Sequence, residues 1–163
     1  MKKINKEQIQ NAVFQAQSPC FVLAHEVYDA LPIHQFKYIG DNQWCEMVIQ
    51  LTEDGNDIEY AESAPMTENV IKVLQPEKFF NEEARKDIKP GDMIEVCPGA
   101  ANYTKEICSL LEVSRGAGLV VDYGEDHSFS NSFRGFMEHK LIKDWDTILK
   151  NVGQMDLTSY VNF

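Results

Sequence analysis

Residues 20–36 read CFVLAHEVYDALPIHQF, and this stretch decides the fold. It begins with a short run without a charged or amide side chain, Cys20 to Ala24, and becomes polar at His25 and Glu26. Such a run is typical of a strand that is buried on both faces of a parallel sheet. We therefore predict a buried β-strand that ends just before His25.

A second apolar run, Leu119 to Val121, ends in the same way at Asp122 and Tyr123. A helical pattern precedes each run, so the two strands predict an open α/β sheet. Ligands of such sheets bind beyond the carboxyl ends of the parallel strands. The side chains expected to line one crevice there are Glu26, Asp29, Asp122 and Tyr123. The pattern leaves open that these acids cap local backbone or face solvent instead.

The rest of the chain predicts short elements without repeats or a domain linker. A first helix is predicted from Ile9, Ala12, Val13 and Ala16, which share one helical face. The strand-like runs Phe36–Ile39 and Trp44–Leu51 predict a hairpin, and the polar stretch from Glu53 to Pro65 predicts a loop. A helix with Thr67 as its N-cap is predicted over Val70, Ile71 and Leu74. A strand is predicted from Met93 to Val96, followed by a helix that begins at Ala100 and ends before Gly116.

The composition fits one globular domain of 163 residues with 44% hydrophobic and 25% charged residues. The 26 acidic and 15 basic residues give a net charge of -11. So acidic a chain is a poor match for the phosphate backbone of a nucleic acid, and we expect no nucleic-acid partner. No apolar run approaches the roughly 18–20 residues of a membrane span, so none is expected.

The cysteines and histidines do not predict a metal site. The cysteines, Cys20, Cys45, Cys97 and Cys108, form no CxxC pair, and we expect them to be buried free thiols. The histidine spacing matches no metal-binding helix. The chain also has no GxxxxGK[ST] loop, no GxGxxG loop after a strand and no GxSxG elbow.

Five blocks of the sequence resemble the motifs of one known family. The blocks are Ala24 to Phe36, similar to the signature ANEFFDALPVHQF, Ile94 to Pro98, similar to IEVSP, Gly118 to Gly124, similar to IIDYG, Ser132 to His139, similar to SLRAF…H, and Asp156 to Phe163, similar to DLTAHVDF. They occur in family order over about residues 20 to 163, which makes the resemblance specific. The family that they resemble is the MidA-like family of S-adenosylmethionine-dependent methyltransferases.

The resemblance implies a class I methyltransferase fold, which is a Rossmann-like, mostly parallel sheet with helices on both faces. Cys20–Ala24 would be its fourth strand and Leu119–Asp122 its fifth, with the hairpin inserted between them. Residues 1–163 would then form one partial domain, from strand four through the region after strand five. The implied activity is methyl transfer from S-adenosylmethionine to an arginine of a respiratory complex I subunit, during assembly of that complex. The implied location is mitochondrial, although the first residues make no clear transit peptide; the other expectation is cytoplasmic.

Arginine stays protonated at ordinary pH, so an enzyme that methylates it needs carboxylates to orient the guanidinium. Glu26 is the first candidate for this catalytic role and Asp29 the second. The candidate substrate-binding residues are His25, Tyr28, Asp122 and Tyr123. His25 stands where the family signature has Asn, which changes the hydrogen-bonding capacity at that point. Arg134 and His139 match family positions without a role that the sequence predicts.

One expected part of the family is absent from the sequence. The family's glycine-rich cofactor loop belongs a hundred or more residues before Ala24, and only 23 residues precede Ala24 here. We therefore expect weak cofactor binding by this chain alone, and an unpaired edge on its first strand that favours a homo- or hetero-oligomer. Two alternatives remain open: a piece of an arginine methyltransferase, or a non-catalytic paralogue that acts as a binding or structural subunit.

Overall fold

The computed structural model of the chain describes residues 7–8, 11–12, 18–125 and 131–163. The strands in this part are β1 (Phe21–His25), β2 (His34–Gly40), β3 (Gln43–Leu51), β4 (Ile58–Glu62), β5 (Met93–Val96), β6 (Ala117–Val121), β7 (Gly124–Glu125), β8 (Arg134–Met137), β9 (Lys140–Ile142), β10 (Asp156–Thr158) and β11 (Val161–Asn162). The helical elements are a π-helical turn (Val70–Leu74), α1 (Pro76–Phe79), α2 (Glu82–Asp87), α3 (Pro98–Ser114) and α4 (Trp145–Lys150).

The helix predicted near the start of the chain is only partly within the described residues. Residues 7–8 and 11–12 are helical, as predicted. Ile9, Val13 and Ala16, on which the prediction also rests, lie outside the described residues.

Strands β1 and β6 are parallel neighbours, which confirms the central prediction from the two apolar runs. Their register places Phe21 opposite Ala117 and His25 opposite Val121. Both carboxyl ends therefore meet at the same edge of the sheet. Helix α3 leads directly into β6, and a residue of left-handed conformation, Arg115 with φ 52°, ends it.

The prediction that these two strands are buried on both faces is wrong. Ala24 is buried and packs in a cluster that Ile107 of α3 joins. On the opposite face, Phe21 is 80% exposed, Leu23 68% and Leu119 60%. The apolar pattern indicates that both faces of these strands favour burial. In this structure only the face toward α3 is packed against other residues. Among the described residues, β1 pairs with β6 alone, so its other edge is open.

The chain between β1 and β6 holds a four-stranded antiparallel sheet in the order β4-β3-β2-β5, which we call the inserted sheet. The predicted hairpin is confirmed as β2 and β3. Asp41 and Asn42 form its turn with φ values of 50° and 57°. Two successive left-handed residues fit the right-handed twist of a hairpin, and Asn and Asp tolerate that conformation best after Gly. The predicted strand from Met93 to Val96 is confirmed as β5, which pairs with β2.

Strand β4 occupies a region that the sequence predicted as loop. Residues 58–62 pair antiparallel with β3. The reason is tertiary contact: the ring of Tyr60 stacks on Trp145 at 4.1 Å, and Glu62 pairs with Lys37 at 2.5 Å. These partners lie far away in sequence, so the local acidic pattern does not reveal them.

The core of the inserted sheet contains Phe36, Trp44, Val70 and Leu74. The helix predicted over Val70, Ile71 and Leu74 is present as the π-helical turn, in which Gln75 N–H donates to the Val70 carbonyl at 3.0 Å. Glu68 and Asn69 before this turn are also helical, and Oγ1 of Thr67 accepts the Val70 N–H at 3.5 Å, as expected of the predicted N-cap. The Thr67 carbonyl accepts the Ile71 N–H at 3.1 Å, one turn away.

Residues 156–163, which we call the C-terminal strap, join several parts of the molecule. Its strand β10 pairs antiparallel with β8, and its strand β11 pairs parallel with β7. The approach at β7 is close, because a Cβ atom on Gly124 would lie 1.9 Å from the carbonyl oxygen of Val161. Only glycine fits there without a shift of backbone.

All four cysteines are free thiols, as predicted, but they are not all buried. Cys45 is buried, Cys20 and Cys97 are partly buried, and Cys108 on α3 is exposed. No helix in the described part of the chain is long and apolar enough to cross a bilayer.

Candidate functional site

The candidate site lies at the turn that follows β1. The Glu26 N–H donates to the Val121 carbonyl at 2.9 Å, which extends the parallel ladder by one bond. Glu26 then adopts the left-handed conformation with φ 50°. A non-glycine residue in this conformation is costly and is frequent where a turn or a functional site needs it. The reversal sends the chain away from the sheet and leaves the Glu26 side chain at its edge.

The carboxylate of Asp122 shapes this turn from the neighbouring strand end. Its Oδ2 accepts the backbone N–H groups of Val27 at 3.1 Å, Tyr28 at 2.9 Å and Asp29 at 3.3 Å. Its Oδ1 accepts the N–H of Tyr123 at 2.8 Å. Both oxygens of Asp122 thus accept backbone N–H groups. The sequence pattern left open that this acid caps local backbone and does not line a pocket.

Glu26 is the acid of this group whose carboxylate remains accessible. Its side chain is 50% exposed. Oε1 accepts the Tyr123 hydroxyl at 3.3 Å and lies 3.5 Å from Nε2 of His25. Oε2 accepts no hydrogen bond from the described residues. The Glu26 charge, and then its hydrogen bond, raise the pKa of the Tyr123 phenol above its ordinary value.

Asp29 and Tyr28 lie behind the turn, on the buried side. Asp29 Oδ2 accepts the Thr158 hydroxyl at 2.7 Å, and only 9% of the residue is exposed. The Tyr28 ring packs in the cluster with Ala24, and its hydroxyl lies 3.0 Å from Oγ1 of Thr104 on α3. The structure therefore brings His25, Glu26, Asp122 and Tyr123 together at the sheet edge, whereas Tyr28 and Asp29 face the interior.

A largely apolar cavity of about 840 Å³ lies on the α3 side of this turn. Tyr28 and Val120 connect it to the site, and Thr104 and Lys105 of α3 and Glu95 of β5 also line it. The site and the cavity are thus neighbours, separated by the turn.

Sequence reasoning missed the role of Glu95, which organises the far wall of the cavity. Its carboxylate accepts Gln35 Nε2 at 2.6 Å and the Ser132 hydroxyl at 2.5 Å. The Tyr60 hydroxyl donates to Gln35 Oε1 at 2.7 Å, and burial, followed by the Glu95 charge, raises the Tyr60 pKa to about 12. Glu95 and Ser132 each lie in a sequence block that resembles the family. That position was the feature of the sequence from which their role could have been predicted.

Two further residues that match family positions are also placed by the structure. Arg134 is 7% exposed, and its guanidinium carbon lies 3.9 Å from the centre of the Tyr160 ring. A stack of this kind stabilises a buried cation. His139 is exposed in the turn between β8 and β9, with φ 63°. Within the described residues, no group of three His, Cys, Asp or Glu side chains is arranged to hold a metal ion.

Comparison with curated proteins identifies relatives along most of the chain. The chain is 33% identical over 144 residues to the protein arginine methyltransferase NDUFAF7, mitochondrial, of Xenopus tropicalis, covering 88% of this chain and 30% of that protein. It is 33% identical over 143 residues to the Homo sapiens protein of the same name, covering 88% and 29%. The Caenorhabditis elegans homolog is 36% identical over 143 residues, covering 86% and 30%. The chain thus spans about 30% of the length of these relatives.

A solved structure supports the fold. The chain superposes on a COG1565 superfamily member from Burkholderia thailandensis, solved with bound S-adenosyl-homocysteine, with a TM-score of 0.62 and 19% identity, covering 89% of this chain and 35% of that one. The mixed α/β architecture therefore agrees with the predicted partial Rossmann-like methyltransferase fold.

The sequence model of one family matches nearly the whole chain. It covers residues 4–163 and describes an S-adenosyl-L-methionine-dependent methyltransferase. This match, the curated relatives and the solved structure confirm the resemblance read from the five sequence blocks. The chain belongs to this family of S-adenosyl-L-methionine-dependent methyltransferases.

Proposed function

We propose that this chain is the part of a protein arginine methyltransferase that binds the methyl-accepting arginine, with Glu26 as the carboxylate that contacts it. The observation that carries the proposal is the Glu26 carboxylate itself. It is half exposed, it stands at the shared carboxyl end of two parallel strands, and its Oε2 accepts no hydrogen bond from the described residues. Ligands of α/β sheets bind at this edge.

The chemistry of arginine methylation fits such a group. A guanidinium nitrogen forms a bond to the methyl carbon while the methyl–sulfur bond breaks, and the nitrogen then releases one proton to solvent or to a nearby base. Catalysis of such a displacement consists mainly of alignment and charge placement. The free oxygen of Glu26 can accept a guanidinium N–H, and the fixed charge offsets the cation. The net charge of -11 also favours approach of a cationic substrate.

S-adenosylmethionine is the proposed cofactor, and it would supply an electrophilic methyl group on a sulfonium. The residues of this chain fit only the sulfonium end of that cofactor. The Glu26 carboxylate suits a nearby positive charge, and Nε2 of His25 lies 3.5 Å from that carboxylate. In the described residues, no glycine-rich loop follows a strand in the way that holds the other parts of such a cofactor. We therefore expect those contacts to come from segments beyond residues 18–163, since the relatives are about three times longer.

This proposal has a direct binding test. Calorimetric titration of the isolated chain is expected to detect no micromolar binding of S-adenosylmethionine. Micromolar affinity of the chain alone would contradict the proposed division of cofactor contacts.

The proposed acceptor is a protein, because the relatives are named protein arginine methyltransferases. The MidA-like resemblance makes a respiratory complex I subunit the specific candidate, and the word mitochondrial in the relatives' names supports our proposal of a mitochondrial location. One edge of β1 pairs with none of the described strands, and Phe21 and Leu23 on that strand are exposed, which supports association with a second chain or a further segment.

One observation favours a second function, that of a non-catalytic binding subunit. His25 replaces the Asn of the family signature and lies 3.5 Å from the oxygen of Glu26 that also meets Tyr123. A protonated imidazole there would pair with Glu26 and compete with a substrate guanidinium. Restoring the family residue separates the two functions. In an assay of the chain combined with a segment that supplies the cofactor contacts, His25→Asn leaves or raises methyl transfer if the chain is part of an enzyme, whereas a binding subunit shows no transfer in either form.

A further inference from the structure

We propose that Asp29 is a positioning residue and that the C-terminal strap acts through it to set the place of Glu26. This inference rests on the proposed function, in which Glu26 contacts the substrate. It changes the role expected for Asp29, from a second acid that touches arginine to an acid that holds the turn.

The first argument is the way in which Asp29 is bound. Its Oδ2 accepts the Thr158 hydroxyl at 2.7 Å, and its carbonyl accepts the Ser159 N–H at 2.9 Å. Its own N–H donates to Asp122 at 3.3 Å. Asp29 is therefore held between the end of β6 and the strap, and a substrate guanidinium that binds Oδ2 would have to displace the Thr158 hydroxyl.

The second argument is the strain at the other end of the same turn. Glu26 precedes Asp29 by three residues and holds the left-handed conformation with φ 50°. Such a residue relaxes unless its surroundings hold it. The Glu26 N–H is fixed to Val121 at one end of the turn, Asp122 holds the Val27 and Tyr28 N–H groups within it, and Asp29 is fixed to the strap at the other end. Asp122 and the strap hold the turn together, and we expect release of Asp29 from the strap to let the Glu26 side chain leave its position beside Tyr123.

The third argument is that the strap is itself firmly held. Tyr160 N–H donates to the Ser132 hydroxyl oxygen at 2.9 Å, and the Ser132 hydroxyl donates to Glu95 of the inserted sheet at 2.5 Å. The Arg134 guanidinium covers the Tyr160 ring at 3.9 Å. Asp29 is thus connected, through the strap, to the inserted sheet as well as to the parallel strands.

The test uses the full chain and a readout that needs no activity. The charges of Glu26, Asp29 and Asp122 raise the pKa of the Tyr123 phenol, and Glu26 has the largest influence. Titration of the Tyr123 ring carbon by NMR therefore reports whether Glu26 is in place. Thr158→Val removes the hydroxyl without changing the shape, and Thr158→Ser keeps it as the matched control.

The expected result is a Tyr123 pKa that falls toward its ordinary value in Thr158→Val and stays raised in Thr158→Ser. A folded Thr158→Val protein whose Tyr123 titrates as in the unsubstituted chain would overturn the proposal, since a merely structural bond would lower the melting temperature only.

A second pair of variants gives the same decision if Thr158→Val does not fold. Asp29→Ala and Asp29→Asn both remove the Asp29 charge, but only Asn keeps an oxygen for Thr158. The Tyr123 pKa should be lower in Asp29→Ala than in Asp29→Asn, and equal values would contradict the positioning role.

Activity supplies a separate readout. In a methyl-transfer assay of the chain combined with a segment that supplies the remaining part of the family fold, Thr158→Val should lower kcat about tenfold with little change in the KM for S-adenosylmethionine, and Thr158→Ser should leave kcat unchanged. If no form transfers a methyl group, the proposed function fails, while the Tyr123 titration still decides whether Asp29 positions Glu26.

Discussion

The hydroxyl of Tyr123 lies 3.3 Å from Oε1 of Glu26, although 97 residues separate the two in sequence. The parallel register of β1 and β6 brings them together, because His25 lies opposite Val121 and each strand ends there. The contact joins an accessible carboxylate to a phenol at the edge where ligands of α/β sheets bind.

Replacement of Glu26 should change the titration of Tyr123. The Glu26 charge disfavours the phenolate, so Glu26→Gln is expected to lower the Tyr123 pKa toward its ordinary value. NMR titration of the Tyr123 ring carbon measures this pKa. Glu53→Gln, which removes an exposed acid in the loop between β3 and β4, is the control and should leave the titration unchanged. An unchanged Tyr123 pKa in Glu26→Gln would show that the two side chains do not meet in solution.

Tyr60 should make the stability of the fold fall at alkaline pH. Its pKa is raised to about 12 in the folded chain, whereas an unfolded tyrosine titrates at about 10. As pH rises from about 10 to 12, the unfolded state loses this proton first, so unfolding becomes more favourable. Tyr60→Phe lacks the phenol and escapes this loss.

Urea unfolding of both forms measures this effect. At pH 8, Tyr60→Phe should be less stable by about 1 kcal/mol, because the hydrogen bond to Gln35 is lost. At pH 11 the difference should shrink. A difference that stays constant between the two pH values would contradict the raised pKa.

Gly124→Ala should destabilise the chain where the strap joins β7. The new Cβ would lie 1.9 Å from the Val161 carbonyl oxygen, so backbone must move. We expect a loss of about 1–3 kcal/mol in the free energy of unfolding, the usual range for overpacking. Gly99→Ala is the matched control, because its Cβ would meet Leu31 at 3.9 Å, an ordinary contact. Equal effects of the two substitutions in chemical denaturation would mean that the close approach at Gly124 is not present.

The exposed face of β1 should make the isolated chain associate. Leu23 is 68% exposed beside an open strand edge, and such surfaces favour contact with another chain. Light scattering is expected to show a dimer or larger species, and Leu23→Lys should shift it toward monomer. Val152→Lys, at a residue that is 66% exposed in the chain after α4, should leave the association unchanged. A monodisperse monomer of the unsubstituted chain would contradict this prediction.

The sequence predicted the elements whose signals are local. The two apolar runs predicted β1 and β6, and their polar ends predicted that Glu26 and Tyr123 would share one edge. The hairpin around Asp41 and Asn42 was predicted because its turn residues favour the left-handed conformation.

The elements that the sequence missed depend on distant contacts. Strand β4 forms because Tyr60 stacks on Trp145, and Asp29 is turned inward because Thr158, 129 residues away, binds it. The burial of β1 was overestimated at Phe21 because an apolar pattern shows that a face needs cover but not what supplies it. The separation of Glu26 from Asp29 into accessible and buried acids likewise required the structure, since both are acids in one short motif.

A methyl-transfer assay tests most directly whether Glu26 binds the arginine that is methylated. The chain would be combined with a segment that supplies the remaining part of the family fold, with radiolabelled S-adenosylmethionine and an arginine-containing peptide. We expect label on arginine with the unsubstituted chain, a rate about a hundredfold lower with Glu26→Gln, and an unchanged rate with Glu53→Gln. Transfer that Glu26→Gln leaves undiminished, or no transfer in any combination, would contradict the account.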